Sequence, residues 1–435
     1  MTASATRSRT IFGVPAPVAI FFVAMMVPTV ASLNLGGLRL SSYRILLLIM
    51  FLPMLLHLVS GRKGRMHIFD GLILAHCSWA LFALINWGGL KQGIESGGIY
   101  IIECAGAYLL GRLYIRSYDD FAAMAHAYVG LVLATLIFTI PESLTGIHIL
   151  HDSISSAVGG PKAPYIDPRM GLERAFGPFD HPILYGVFCA SSFSLAYFVV
   201  AERRLINLAG SAKVIGVVVA TFISASGGPY VVLMAQAFVG AWERFLGKIQ
   251  GRWAALFSLF ALAYVAIDLL STKTPFHVFV NYLTFSKQSA YNRILIFEYG
   301  TAEVSRHPIF GIGLGDWNRP VWMSDSIDNF WLATAVRYGL PAFFLLVGFL
   351  LSLIWMVGQR KNIPASWRRA RHAWAFTLFG IAVAAATVHL WNALFVLFFF
   401  IIGSGAWLLD AKPNRARPPT KRILARTMAR PARLF

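Results

Sequence analysis

Charge is what this chain has least of. Only 13% of its 435 residues are Asp, Glu, Lys or Arg, where soluble domains carry about 25%. With 57% hydrophobic residues and a mean hydropathy of +0.64, an ordinary soluble globule is excluded. The composition predicts a polytopic membrane protein, whose length counts spans rather than soluble domains. Acidic groups are scarcer than basic ones, 19 against 38. Cysteine is nearly absent. Cys77, Cys104 and Cys189 each sit in an apolar stretch, which argues against a disulfide or metal framework and for small core residues. A cleavable leader is not expected either, because the apolar run from Ile11 to Ala31 lacks a small-residue cleavage site before the next span.

The net charge of +19 would suit a nucleic-acid binder, but its distribution argues against one. Most Lys and Arg fall in short connectors and in the tail after Asp410, which is the positive-inside pattern. With roughly 20 apolar residues needed per span, the pattern predicts an all-α protein of about twelve transmembrane helices. They are expected at about 12–32, 43–60, 68–87, 97–115, 121–141, 182–200, 205–223, 229–246, 253–270, 339–357, 373–389 and 391–409. The break at Ser224–Pro229 reads as a tight turn between paired spans. Residues 1–410 then form one transmembrane domain with both termini cytoplasmic. Residues 411–435 form a basic cytoplasmic tail suited to anionic headgroups and without a fold of its own.

Two outer loops are long in this topology, about 142–181 and 271–338. Loops of that length are functional or disordered, and the second is too aromatic for disorder. Within it, Asn292 to Arg306 reads as a helix ended by Pro308. Asp328 to Tyr338 reads as a short helix separated from the next span by Gly339 and Pro341. This segment also gathers Arg293, His307, Asp316, Arg319, Asp328 and Arg337, residues that lipid-soluble packing does not call for.

Arg293, then HPIFGIGLG (His307 to Gly315), then Asp328-Asn329 and a hydrophobic helix ending in Gly-Leu-Pro, resemble the O-antigen ligase / polysaccharide polymerase (Wzy-like) superfamily. RAFGPFDHPILYG, from Arg174 to Gly186, resembles that family's Arg-x-x-Gly-x-Phe-x-x-Pro stretch. The chain departs from the ligase pattern at Asp328-Asn329, where ligases carry His-Asn. It departs again at Ser226-Gly227-Gly228, where many members carry Ser-Arg-Gly. The DNFW and RYGLP wording is closer to exopolysaccharide repeat-unit polymerases. The resemblance implies a multi-spanning, GT-C-like glycosyltransferase of a bacterial inner membrane. It would act at the periplasmic face on undecaprenyl-diphosphate-linked glycan, without a metal or other cofactor and with inversion. Its expected partners are membrane lipid, a flippase and a chain-length regulator. Two other readings stand beside the polymerase: a ligase transferring glycan to lipid A core, and a lipid-linked glycan transporter. No internal repeat of the transporter kind is visible.

Transfer from a lipid diphosphate needs positive charge at the leaving group, and a guanidinium supplies it bidentately and permanently. Arg293 is the candidate catalytic arginine, with Arg174 and Arg337 as diphosphate-binding partners. Arg319, Asp316, His307 and His181 complete the candidate substrate-binding set. Asp328 is the candidate base toward the acceptor hydroxyl; as an Asp before an apolar helix it also reads as an N-cap. His307 also reads as a helix-ending residue bonded to backbone, and Gly311, Gly313 and Gly315 as turn glycines or a phosphate cradle. Glu298 and Glu303 read as a solvated helix face. Within the spans Glu103 is expected to pair with a neighbouring span.

Overall fold

The computed structural model describes residues 10–35, 38–62, 64–202, 208–283 and 287–412. The basic tail, apart from residues 411 and 412, lies outside the described residues. The architecture is almost entirely helical. The helices are α1 (Ala16–Met25), α2 (Ser42–Val59), α3 (Ile68–Ile101), α4 (Ala107–Tyr114), α5 (Tyr118–Thr145) and α6 (Ile149–Val158). They continue with α7 (Pro182–Ser191), the single turn α8 (Phe193–Leu195), α9 (Leu208–Phe222), α10 (Gly227–Leu246) and α11 (Arg252–Leu270). The last are α12 (Pro275–Leu283), α13 (Lys287–Arg306), α14 (Phe330–Gly358), α15 (Ala365–Ala384), α16 (Ala393–Ser404) and α17 (Trp407–Asp410). Among the described residues sheet is confined to two small antiparallel hairpins, β1 (Thr10–Ile11) with β2 (Val14–Pro15) and β3 (Leu33–Leu35) with β4 (Leu38–Leu40).

Among the described residues seven helices are long and apolar enough to cross a membrane. The protein is therefore of the all-α membrane class, but the expected count of twelve spans does not hold. Three physical reasons account for the difference. The first is length: α1 is apolar but only 10 residues long, about 15 Å of rise against a hydrocarbon core of about 30 Å, and the described part of α9 has 15 residues. The second is polarity. α10 carries Gln236, Glu243 and Arg244, and α15 carries Arg368, Arg369, Arg371 and His372. The third is counting, since the expected spans 68–87 and 97–115 are the two arms of one helical run, Ile68–Tyr114, which counts once.

That run reverses on itself at Gly89, whose φ of 72° and ψ of 177° leave the helical region. A side chain is disfavoured at that φ, which is why glycine stands at the reversal. The imidazole of His76 lies 2.7 Å from the Tyr100 hydroxyl, although 24 residues of straight helix would separate them by about 36 Å. His76 Nδ1 donates to the carbonyl of Ala342 at 2.8 Å, so Nε2 accepts from Tyr100.

α16 is the centre of the bundle: every residue from Ala393 to Ser404 is buried. Small residues allow α4 to approach it. A Cβ on Gly111 would stand 2.3 Å from the carbonyl oxygen of Phe400, and one on Gly403 2.2 Å from that of Tyr108. Such backbone approach through small residues is the usual way helices pack in lipid. α11 is the opposite case. Only 6% of its apolar window is buried, and Phe257, Leu262 and Leu270 are exposed, a surface that needs lipid as its solvent. Glu103 lies in a short π-helix, Ile102–Gly106, between α3 and α4 and pairs with Arg44 of α2 at 2.6 Å. Cys77, Cys104 and Cys189 are free and buried.

Candidate functional site

A buried carboxylate positions the stretch that carries Arg174. Glu142, in the last turn of α5 and 1% exposed, accepts from the amides of Phe176 at 2.7 Å and Gly177 at 3.2 Å. It also holds His148 Nδ1 at 2.6 Å. On either side of Arg174, the Glu173 amide donates to the Ser143 carbonyl and the Ala175 amide to the Ile223 carbonyl. Arg174 is thus clamped between the ends of α5 and α9. Arg174 is 6% exposed; Nη2 donates to Ser226 Oγ at 2.8 Å, while Nε has no hydrogen-bond partner among the described residues. Burial, with Arg169 nearby, draws its pKa down to about 10, the sign of a cation waiting for a counter-ion.

His181 caps α7, its Nδ1 accepting from the Ile183 amide at 3.1 Å. That acceptor role needs a neutral ring, and burial, then Arg174, lowers its pKa to about 4. Arg293 comes from α13 and donates through Nε to the Thr387 carbonyl at 3.0 Å. Burial lowers its pKa and Asp328 opposes the shift.

Asp328 is not the helix cap. Asn329 takes that position, its side-chain oxygen accepting from the Leu332 amide at 3.0 Å. Asp328 stands one residue before it, half-buried, with Oδ1 accepting from Ser326 Oγ at 2.7 Å.

These groups converge. A cavity of about 210 Å³ is lined by Arg169, Arg174, His181, Asn292, Arg293 and Asp328, with Ser289 and the Gly227-Gly228 turn at its edge. Its residues come from the first long loop, the start of α7, the α9–α10 turn, α13 and the approach to α14. Three guanidiniums face one carboxylate there, so the cavity is built for an anion. Arg169 was not singled out from the sequence. It is exposed and sits in a tight turn in which its amide and carbonyl both pair with Leu172.

The other candidates lie elsewhere. Arg337 lines a separate chamber of about 300 Å³ with Arg44, Tyr100, Glu103, His389 and Trp391, and donates to the Gly313 carbonyl at 3.2 Å. Arg319 is spent on Asp316, with Nη1 at 2.9 Å from both carboxylate oxygens, and on the Ser324 carbonyl. His307 is exposed and lies 3.4 Å from Glu303. Glu303 is no solvated face: it is 5% exposed and also binds Arg306 and the Asn318 amide.

The glycine run after Pro308 serves packing against α14. Gly339 breaks that helix with φ 81°, and a Cβ there would lie 2.0 Å from the Ile309 carbonyl oxygen. A Cβ on Gly311 would lie 2.4 Å from the Val336 carbonyl oxygen, and one on Gly313 2.5 Å from the Trp87 ring. Gly311, Gly313 and Gly315 line none of the cavities described here.

A third and larger cavity, about 940 Å³, opens beside the chamber and shares Asn392 with it. Asp180 anchors its floor, accepting from Thr29 and from Asn392 Nδ2, the latter at 2.7 Å. Arg39 and Lys162 also line it. Among the described residues no three His, Cys, Asp or Glu side chains come together in a metal-holding group. No family model matches the chain, and no curated protein matches it. Fold and site together define an all-α membrane protein with an arginine-lined, anion-receptive cavity.

Proposed function

We propose that this protein polymerises undecaprenyl-diphosphate-linked oligosaccharide units at the outer face of a bacterial inner membrane. The observation that carries the reading is the convergence of Arg174, Arg293, His181 and Asp328, from segments up to 154 positions apart in sequence, in one cavity. The growing chain is the donor. An acceptor hydroxyl attacks its anomeric carbon; the bond from that carbon to the phosphate oxygen breaks, and the electron pair leaves on the diphosphate. Arg174, Arg293 and Arg169 neutralise that charge, and burial strengthens the interactions of Arg174 and Arg293. The hydroxyl proton goes to the Asp328 carboxylate, which is free of capping duty. His181, neutral near pH 7, orients the site rather than adding charge.

A chromosomal deletion tests the reading through its lipid products. A lost polymerase leaves single repeat units on the carrier at the outer face. Full-length polymer stranded on the carrier would instead make the protein a ligase, and units facing the cytoplasm would make it a transporter.

A further inference from the structure

The chamber that holds Arg337 has a composition the arginine cavity does not explain. Its two guanidiniums differ in state. Arg44 is neutralised by Glu103 at 2.6 Å, while Arg337 has no carboxylate within ion-pair distance among the described residues and spends one bond on the Gly313 carbonyl. Beside it, His389 buries an Nδ1 atom that has no hydrogen-bond partner among the described residues. A buried imidazole nitrogen left unsatisfied is costly without a ligand, and the half-buried Arg337 beside it offers a cation with no carboxylate to neutralise it. The lining is also apolar in part: Leu314, Phe330 and Phe395. The surrounding helices α14 and α16 and the run from Ile68 to Tyr114 are all of membrane-crossing character. A polar head and an apolar body are therefore both accommodated, which fits an amphiphile rather than a free ion.

The chamber adjoins the first cavity. Trp391 stands 6.1 Å from the rings of both His181 and His389, so one indole partitions the two. Asp328 acts electrostatically on both histidines. On its other side, Asn392 opens into the large cavity that Asp180, Arg39 and Lys162 line. Asn392 itself is held at φ 51° and ψ −132°, a strained conformation for a non-glycine residue of the kind that clusters at ligand sites.

We infer that the Arg337 chamber is a second site for a lipid-linked phosphate or diphosphate, holding the acceptor carrier while the Arg174–Arg293 cavity holds the donor. The acceptor's glycan would run past Asn392 into the large basin. The assignment to the acceptor rests on the polymerase reading above; the second anion site does not.

Native mass spectrometry of the full-length protein, with undecaprenyl diphosphate as the probe, tests it. Two bound molecules are expected for the native protein, one for Arg337→Gln, one for Arg293→Gln and none for the double variant. His389→Ala, which leaves the Arg337–Gly313 bond intact, should weaken the second binding event by about tenfold or more, the loss of one hydrogen bond to a charged group. Thermal unfolding of each variant shows that it folds. One bound molecule in the native protein, lost only in Arg293→Gln, would overturn the second site and leave the polymerase reading standing. Phosphatidylglycerol filling the second position with the same dependence on Arg337 would make it a headgroup site and overturn the acceptor assignment. Inorganic pyrophosphate filling it alone would overturn the amphiphile. Binding at neither position would overturn both this inference and the polymerase reading.

Discussion

Replacing Glu142 should disable the site without touching it. This carboxylate reaches the amides of Phe176 and Gly177 at 2.7 and 3.2 Å and is 1% exposed, so its removal leaves two buried donors beside Arg174 with nothing to bond. Hydrogen bonds to a charged group contribute about 1.5–3 kcal/mol each, which puts Glu142→Ala at roughly 3–6 kcal/mol of local stability. Even the lower figure raises the population of an opened loop by about 100-fold. Glu142→Gln keeps one acceptor oxygen and should fall between. Amide hydrogen exchange in the full-length protein reads the effect directly. Exchange at Phe176 and Gly177 should accelerate by about two orders of magnitude in Glu142→Ala, while α16, the buried centre of the bundle, stays protected. Turnover should fall by a similar factor, since a displacement of about 1 Å in a charge-stabilising group can cost 100-fold. Unchanged exchange at both amides would refute the claim that Glu142 holds Arg174 in place.

Other perturbations separate packing from chemistry. Gly339→Ala should cost at least about 2 kcal/mol, because a positive φ alone costs about 1–2 kcal/mol per residue and the new Cβ meets the Ile309 carbonyl; an unshifted thermal midpoint would contradict this. Ser226→Ala removes the Arg174 Nη2 partner at 2.8 Å and should slow turnover about tenfold, a loss of roughly 1.5 kcal/mol; an unchanged rate would show that Ser226 does not position Arg174. His181, whose pKa falls from 6.5 to about 4 on burial, binds a proton less readily in the folded protein than in the unfolded chain. Its contribution is therefore present above pH 6.5 and lost as pH falls toward 4. His181→Asn, which keeps an acceptor for the Ile183 amide, should flatten the pH profile of the thermal midpoint in that window; an identical profile would remove His181 from the account.

Local backbone signals were legible in the sequence. Gly339 and Pro341 mark the break in α14, and the Ser-Ala-Ser-Gly-Gly-Pro run marks the α9–α10 turn. Both are residues whose own conformational limits force the feature. Glu103 finds its partner in Arg44 on a neighbouring helix, as an ionisable group among apolar residues must. What periodicity does not carry is which neighbour a residue meets. Arg337 and Arg293 read alike in sequence, yet the course of α14 turns Arg337 into a different chamber from the one Arg293 enters. Glu142 fell in the first outer loop without being singled out and Glu303 read as a wet helix face, because a carboxylate's burial depends on distant amides that come to it. Asp328 and Asn329 are both good caps, and only the path of the chain decides between them. The His389–Asn392 turn reads as the joint between two spans, and nothing local reveals that three cavities meet around it. The span count failed for a related reason: hydropathy registers apolar content, whereas α1 is cut short and α10 and α15 keep their polar groups.

The most direct test of the central claim is the product ladder. Purified protein is supplied with lipid-diphosphate-linked repeat units and the products are resolved by size, alongside Arg174→Ala, Arg293→Ala, Asp328→Asn and Arg319→Ala. The native protein and Arg319→Ala, whose guanidinium is bound to Asp316 away from the cavity, should both yield a ladder. The other three should lose it by at least about 100-fold, the usual effect of removing one charge-stabilising group. A ladder that survives Arg174→Ala, Arg293→Ala and Asp328→Asn alike would contradict the assignment of chemistry to this cavity.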